Sequence, residues 1–195
     1  DAYDVIFLTN EEEIIQKYSK EYTNELVFGG EQNFGMYSFD DIYYYFKYPL
    51  KNDQFKFLNA GTMMGPAQSA ISIYQDINMS KSQKSDQMDT IRYFCNNQSQ
   101  IKIDNKHELF GVNGGRAGLE SIDYKIKNDR LYCTATDTWP ALLHIPGKFF
   151  IGLDQLSKEL GFMQETPDYT EQEKKAYIAA KKDHQLCDKL GIDNY

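Results

Sequence analysis

The sequence predicts an α/β domain built on a mixed sheet, and three observations predict it. Strand-like apolar runs and helical stretches alternate early in the chain. From residue 100 to 135 the pattern shifts to short strands. Neither a repeat nor a low-complexity linker interrupts the 195 residues, a length that suits one domain with its own core. Strand–helix–strand order followed by short strands is how such a sheet is written.

Residues 4–8 read as a short buried strand, Val5-Ile6-Phe7-Leu8 being apolar throughout. A helix follows over 11–22, capped by Asn10 with Glu13 three residues on, its inner stripe being Ile14, Ile15, Tyr18 and Tyr22. Leu26-Val27-Phe28 is a second strand, closed by Gly29-Gly30. Residues 32–54 are aromatic and irregular, the pattern of a flap, and Phe55 to Asn59 returns as a strand. Pro66 opens a helix through 76, where a proline at the first position loses no hydrogen bond. Ser85 caps another over 86–96, with Met88, Ile91 and Phe94 or Cys95 inward. Short strands follow at 101–103, 109–112 and 131–133, with Asn113-Gly114 as a turn. Helices at 153–160 and 171–190 finish the chain, the second capped by Thr170 with Glu173.

A net charge of −8 and the lack of a basic stripe exclude a nucleic-acid groove. No stretch approaches the roughly 20 apolar residues of a membrane span, and no signal sequence opens the chain. Cys95, Cys133 and Cys187 are odd in number and widely spaced, against a disulfide framework or a zinc knuckle. Fifteen Tyr and 12 Phe stand against one Trp. An A/T-rich coding sequence explains that excess better than a sugar-stacking surface does.

Chemistry concentrates in a few segments. Asp1 and Asp4, with the apolar run behind them, place two carboxylates on a tight turn at a strand. His144-Ile145-Pro146-Gly147-Lys148 follows the apolar Ala141-Leu142-Leu143. Two carboxylates and one imidazole make a hard, partly open site suited to Mg²⁺ or Mn²⁺. Gly147 and Lys148 let backbone and one cation approach a diphosphate. Taken alone, Asp-x-x-Asp is more often a turn, and a lone His after a strand is more often simply hydrogen-bonded in place. The P-loop pattern fails at Leu142 and Phe149. Phe57-Leu58-Asn59-Ala60-Gly61 ends a strand with an amide and bare backbone, fit for sugar hydroxyls or for an ordinary turn. Asp86-Gln87 would grip further hydroxyls or merely complement a helix dipole. The glycine-rich 111–118 stretch lacks strand-to-helix context and reads as a hairpin and loop, while His107 and His184 stand apart from any ligand spacing.

These segments share their order with a known family. The chain resembles the glycosyltransferase domain of the procollagen-lysine hydroxylase/glycosyltransferase (PLOD-like) proteins, and more remotely collagen galactosyltransferases and glycogenin-like enzymes. The matching residues are Asp1-Ala2-Tyr3-Asp4-Val5-Ile6, Glu31, Phe57 to Gly61, Asp86-Gln87, Thr136-Asp137-Thr138-Trp139-Pro140 before His144, and Gly147-Lys148. They run from residue 1 to about 150, leaving 151–195 as a helical extension of a single domain.

The resemblance implies a GT-A-type, Rossmann-like mixed sheet flanked by helices, its N-terminal nucleotide-binding part preceding Asp1. It implies a Mn²⁺- or Mg²⁺-dependent glycosyltransferase that moves a hexose from UDP-glucose or UDP-galactose to a hydroxyl acceptor. That acceptor would be hydroxylysine or galactosyl-hydroxylysine of a collagen-like protein. Asp1, Asp4 and His144 correspond to metal ligands, and Tyr3 to the nucleoside contact. Asn59, Gly61, Asp86 and Gln87 fall on the donor-sugar or acceptor side, with Lys148, beside Gly147, near the phosphates. Within that reading, the catalytic candidates are Asp86 or Glu31, to orient the acceptor hydroxyl or to act as base. Three features depart from the family: the missing first half, Lys84-Ser85 in place of carboxylates, and no tryptophan after Glu31. The alternative class is a non-catalytic nucleotide-sugar or carbohydrate-binding module on the same fold. Family context implies the secretory lumen, a cytoplasmic or viral setting being the other choice; oligomeric state leaves no mark in the sequence.

Overall fold

The computed structural model describes residues 4–34, 39, 41–50, 53–79, 85–113, 124–146 and 150–179. It is α/β, with mixed sheets flanked by helices, consistent with the expected GT-A-type arrangement.

The central strand is β2 (Leu26–Glu31), parallel to β4 (Ile101–Asp104) on one side and antiparallel to β3 (Phe57–Met64) on the other. A second sheet has β8 (Leu142–His144) between β1 (Val5–Phe7) and β5 (Phe110–Val112). The sheets meet where β2 lies beside β5, so a Cβ placed on Gly29 would sit 2.8 Å from Val112 Cγ2. Alternation along β2 sorts the layers. Leu26 and Phe28 pack with Met88, Ile91 and Phe94 of helix α4 (Asp86–Asn96) and Ile73 of α3 (Ala67–Met79), counting α1 (Glu11–Glu21) and α2 (Asp41–Lys47) before them. Val27 packs in a separate cluster against Ile14, Tyr18 and Tyr22 from α1 and the turn after it. A third cluster joins Leu143 and Ile145 to Leu153 and Leu156 of α5 (Phe150–Glu159), with Tyr124 of β6 (Tyr124–Lys127) and Leu131 and Cys133 of β7 (Arg130–Cys133).

The caps form as expected. The Asn10 side chain accepts from Glu13 N at 3.0 Å, and Ser85 Oγ from Met88 N at 3.4 Å. Thr170 Oγ1 accepts from Glu173 N while Glu173 Oε2 accepts from Thr170 N, a reciprocal box opening a last helix described over 171–179.

Five expectations need correction. Phe7 is exposed and its two strand neighbours only half-buried, because β1 is an edge strand. Ile15 is exposed, because the inward stripe is the i, i+4, i+8 line of Ile14, Tyr18 and Tyr22. Gly29 and Gly30 continue β2 instead of closing it: a Cβ would meet Thr62 Oγ1 at 2.4 Å in one case and Phe55 O at 2.3 Å in the other. They are glycines because neighbours press on the strand. The described part of the supposed flap contains α2, held by Arg92, which pairs with buried Asp41 at 2.8 Å and Asp89 at 3.2 Å. Finally, β6 and β7 form an unexpected hairpin, its Asn128-Asp129 turn having φ of 53° and 56°, as a two-residue type I′ turn demands. Gly114, and most of the glycine-rich stretch with it, lies outside the described residues, as do His184 and Cys187. No helix among the described residues is long and apolar enough to cross a membrane.

Candidate functional site

Pairing of β1 with β8 places Val5 opposite His144 and brings Asp4 to the imidazole. Asp4 Oδ1 lies 3.3 Å from His144 Nε2. That oxygen is buried and accepts no hydrogen bond among the described residues. His144 itself is 1 % exposed. Burial holds the imidazole below its ordinary pKa, although the Asp4 charge pulls the other way, so it stays neutral at neutral pH. A neutral imidazole beside a carboxylate oxygen that no donor among the described residues satisfies is a nitrogen–oxygen pair suited to a hard or borderline divalent ion. Asp1, the third expected ligand, lies outside the described residues, and among those described no three His, Cys, Asp or Glu side chains gather around one point. Tyr3, Gly147 and Lys148 also lie outside.

Gly61 connects this pair to the rest of the site. A Cβ there would stand 2.3 Å from His144 Cε1 and 2.9 Å from Nε2. The imidazole therefore lies directly against the backbone of β3. If this pair holds Mn²⁺, Gly61→Ala is expected to displace the ring and weaken Mn²⁺ binding by about 10- to 100-fold, the range for losing a group that orients a ligand. Isothermal titration with Mn²⁺ checks this; unchanged affinity would show that the ring does not take part.

From Gly61 the contacts run inward. Gly61 N donates to Asn59 Oδ1 at 2.9 Å, and Asn59 Nδ2 donates to Glu31 Oε1 at 3.3 Å. Gln87, in the first turn of α4, donates from Nε2 to Glu31 Oε1 at 3.1 Å and to Leu58 O at 2.5 Å, and accepts from Ala60 N at 2.7 Å. Its amide thus hydrogen-bonds β3 as a peptide group would, while aiming one N–H at Glu31. Asp86, next to it, is exposed and accepts from Gln87 N at 2.8 Å. Four expected residues, Glu31, Asn59, Gly61 and Gln87, are therefore in one hydrogen-bonded or packed chain ending at His144 and Asp4. Asp86 sits on its rim.

Glu31 is the electrostatic centre of this chain. At 8 % exposure, burial pushes its carboxyl up to about 8, the Asn59 hydrogen bond offsetting only part of the shift. The unfolded chain releases this proton above about 4.5, whereas the folded chain keeps it to about 8. Stability contributed by the neutral carboxyl is thus full below the lower value and is lost as pH rises through that window. The loss should be on the order of a few kcal/mol. We expect Glu31→Gln to flatten this slope in urea unfolding measured across the window; a slope equal to wild type would place the proton elsewhere.

Sequence reasoning missed two groups beside this chain. His107 is fully buried, with Nε2 2.8 Å from Gly30 O and Nδ1 2.5 Å from Tyr124 Oη. No spacing in the sequence signals that meeting, because a strand and a turn bring the three residues together. Tyr48, assigned to the flap, is buried with its hydroxyl accepting from Leu58 N at 2.7 Å.

A family model described as the PLOD GT domain matches residues 1–167, which takes in every element from β1 through α5. No curated protein matches the chain. With the match covering most of its length, this chain belongs to the PLOD glycosyltransferase-domain family.

Proposed function

We propose that the protein is a metal-dependent glycosyltransferase that moves a hexose from a UDP-sugar to a hydroxyl acceptor. Family membership supports glycosyl transfer in general. The observation that carries the finer reading is the buried Asp4 oxygen, unsatisfied among the described residues, set against a neutral His144 packed on Gly61. Asp1, Asp4 and His144 would hold Mn²⁺ or Mg²⁺, and a bound ion would supply Lewis acidity and a template for the diphosphate.

The chain's own residues account for the rest. Tyr3 would contact the nucleoside, and Gly147 and Lys148 the phosphates, where Lys148 would add positive charge as the leaving group becomes negative. Asn59 and Gln87, engaged with Glu31 and β3, shape the sugar side and fix the carboxyl. Glu31 suits the acid–base role better than Asp86, because burial gives it a proton affinity in the neutral range while Asp86 is open to water. A collagen-like chain bearing hydroxylysine or galactosyl-hydroxylysine is the acceptor that the family suggests, with UDP-glucose or UDP-galactose as donor.

The test is sugar release or transfer from both donors with Mn²⁺, after EDTA, and after Mn²⁺ is restored, alongside calorimetry with UDP. Turnover lost to EDTA and recovered with Mn²⁺ is expected. UDP binding with no sugar released would favour a non-catalytic module, and no binding at all would refute the nucleotide-sugar reading.

A further inference from the structure

We propose that His107 is a positioning residue for Glu31, acting through the carbonyl of Gly30; this rests on the catalytic reading of Glu31 given above. The argument begins with strand register. Leu58 and Gly30 are partners across β3 and β2, and both backbone groups of Leu58 turn outward, its N–H to Tyr48 Oη and its carbonyl to Gln87. In an antiparallel pair the partner of an outward-facing residue also faces away, so the Gly30 carbonyl points toward the β4 side. There β4 has already ended, its last pairing being Asp104 with Gly29. A buried carbonyl at that point needs a donor that no strand supplies.

His107 is that donor. The turn after β4 brings it back, His107 N bonding Asp104 O at 3.3 Å with φ at 54°, and the ring reaches Gly30 O at 2.8 Å. Because a carbonyl only accepts, Nε2 carries the hydrogen. On the other side of the ring Nδ1 lies 2.5 Å from the Tyr124 hydroxyl, which can donate to it, so the carbonyl selects the tautomer and Tyr124 braces the ring. The Phe55 ring lies 3.8 Å away, tilted by 33°, and packs against the imidazole.

The consequence falls on the next residue. Gly29 and Gly30 have no side chains to key the strand, and the peptide joining Gly30 to Glu31 sets the direction of the Glu31 side chain. Fixing the carbonyl of that peptide fixes the carboxyl. Asn59 and Gln87 hold the far end of the side chain, and His107 holds its root.

The test compares His107→Leu, which removes the donor, with His107→Gln, whose amide nitrogen can take the place of Nε2. Two readouts are used: the ¹³C resonance of the Glu31 carboxyl, assigned with Glu31→Gln, and kcat with KM for the UDP-sugar. The leucine variant should move the resonance and lower kcat about 10- to 100-fold, the scale for a misplaced catalytic group, with KM within about twofold. The glutamine variant should restore both. A folded leucine variant with the resonance in place, or a glutamine variant that rescues neither readout, overturns the proposal. Should the leucine variant not fold, Tyr124→Phe replaces it, removing the hydroxyl that braces the ring, with a smaller shift expected and an unmoved resonance again decisive. If the resonance moves in a protein that turns over no UDP-sugar, positioning stands and the catalytic reading of Glu31 fails by itself.

Discussion

Replacing Asp4 with alanine is expected to abolish metal-dependent turnover of a UDP-hexose, lowering kcat/KM by about a thousandfold or more. The size follows from the position of the carboxylate. Asp4 Oδ1 is buried without a hydrogen-bond donor among the described residues and faces His144 Nε2 at 3.3 Å. A carboxylate kept for stability would have donors around it; this one is short of them, as a ligand to a cation would be. The fold should tolerate the change, because the link from this residue to β8 runs through its backbone, Asp4 O accepting from Ile145 N at 3.0 Å. Turnover and thermal melting are therefore measured together. Lost turnover at an unchanged melting temperature supports a ligand; wild-type turnover in a less stable protein sinks the assignment.

A second large effect is expected at Asp104, where the readout is stability. Its carboxylate is completely buried and accepts four hydrogen bonds: from Tyr22 Oη at 2.8 Å, Glu108 N at 3.1 Å, Leu109 N at 2.7 Å and Phe110 N at 2.8 Å. One side chain thus ties the turn after α1 to the end of β4 and the start of β5. Alanine would leave several buried donors unpaired, each at about 1–3 kcal/mol, so we expect a loss of about 4 kcal/mol or more. Asparagine should be harmful too, because its amide nitrogen would face donors where an oxygen now accepts. Urea unfolding decides the matter, and a loss below about 1 kcal/mol for alanine would mean that water replaces the carboxylate.

Local signals were the legible part of this fold. Asn10, Ser85 and Thr170 mark helix starts because a cap depends on residues three positions away. Helix α2 stayed hidden because Ile42, Tyr43, Tyr44, Tyr45 and Phe46 are apolar in succession, leaving no period to detect. Gly29 and Gly30 pointed to a strand end because glycine usually does so. Their real reason, the pressure of Thr62 on β3 and of Phe55 in the turn before it, comes from residues distant in sequence. At the site, the nearness of Asp4 and His144 followed from motif order matched to a family, and composition alone would have left both as ordinary turn and strand residues. The imidazole seated on Gly61 and the His107–Gly30 bond had no sequence signal, since each joins segments that only the sheets bring together.

The outer margin of β3 has a bearing on how a polypeptide acceptor of the kind proposed would arrive. Tyr48 and Gln87 already occupy the hydrogen-bonding groups of Leu58 and the N–H of Ala60, alongside the residues nearest the imidazole. An incoming chain cannot be recruited there by adding itself as another strand, the route many peptide-binding domains follow. Under the proposed function, recognition of a polypeptide acceptor would then rest on what that chain projects from its backbone, as reaching one modified side chain of a collagen-like acceptor would require.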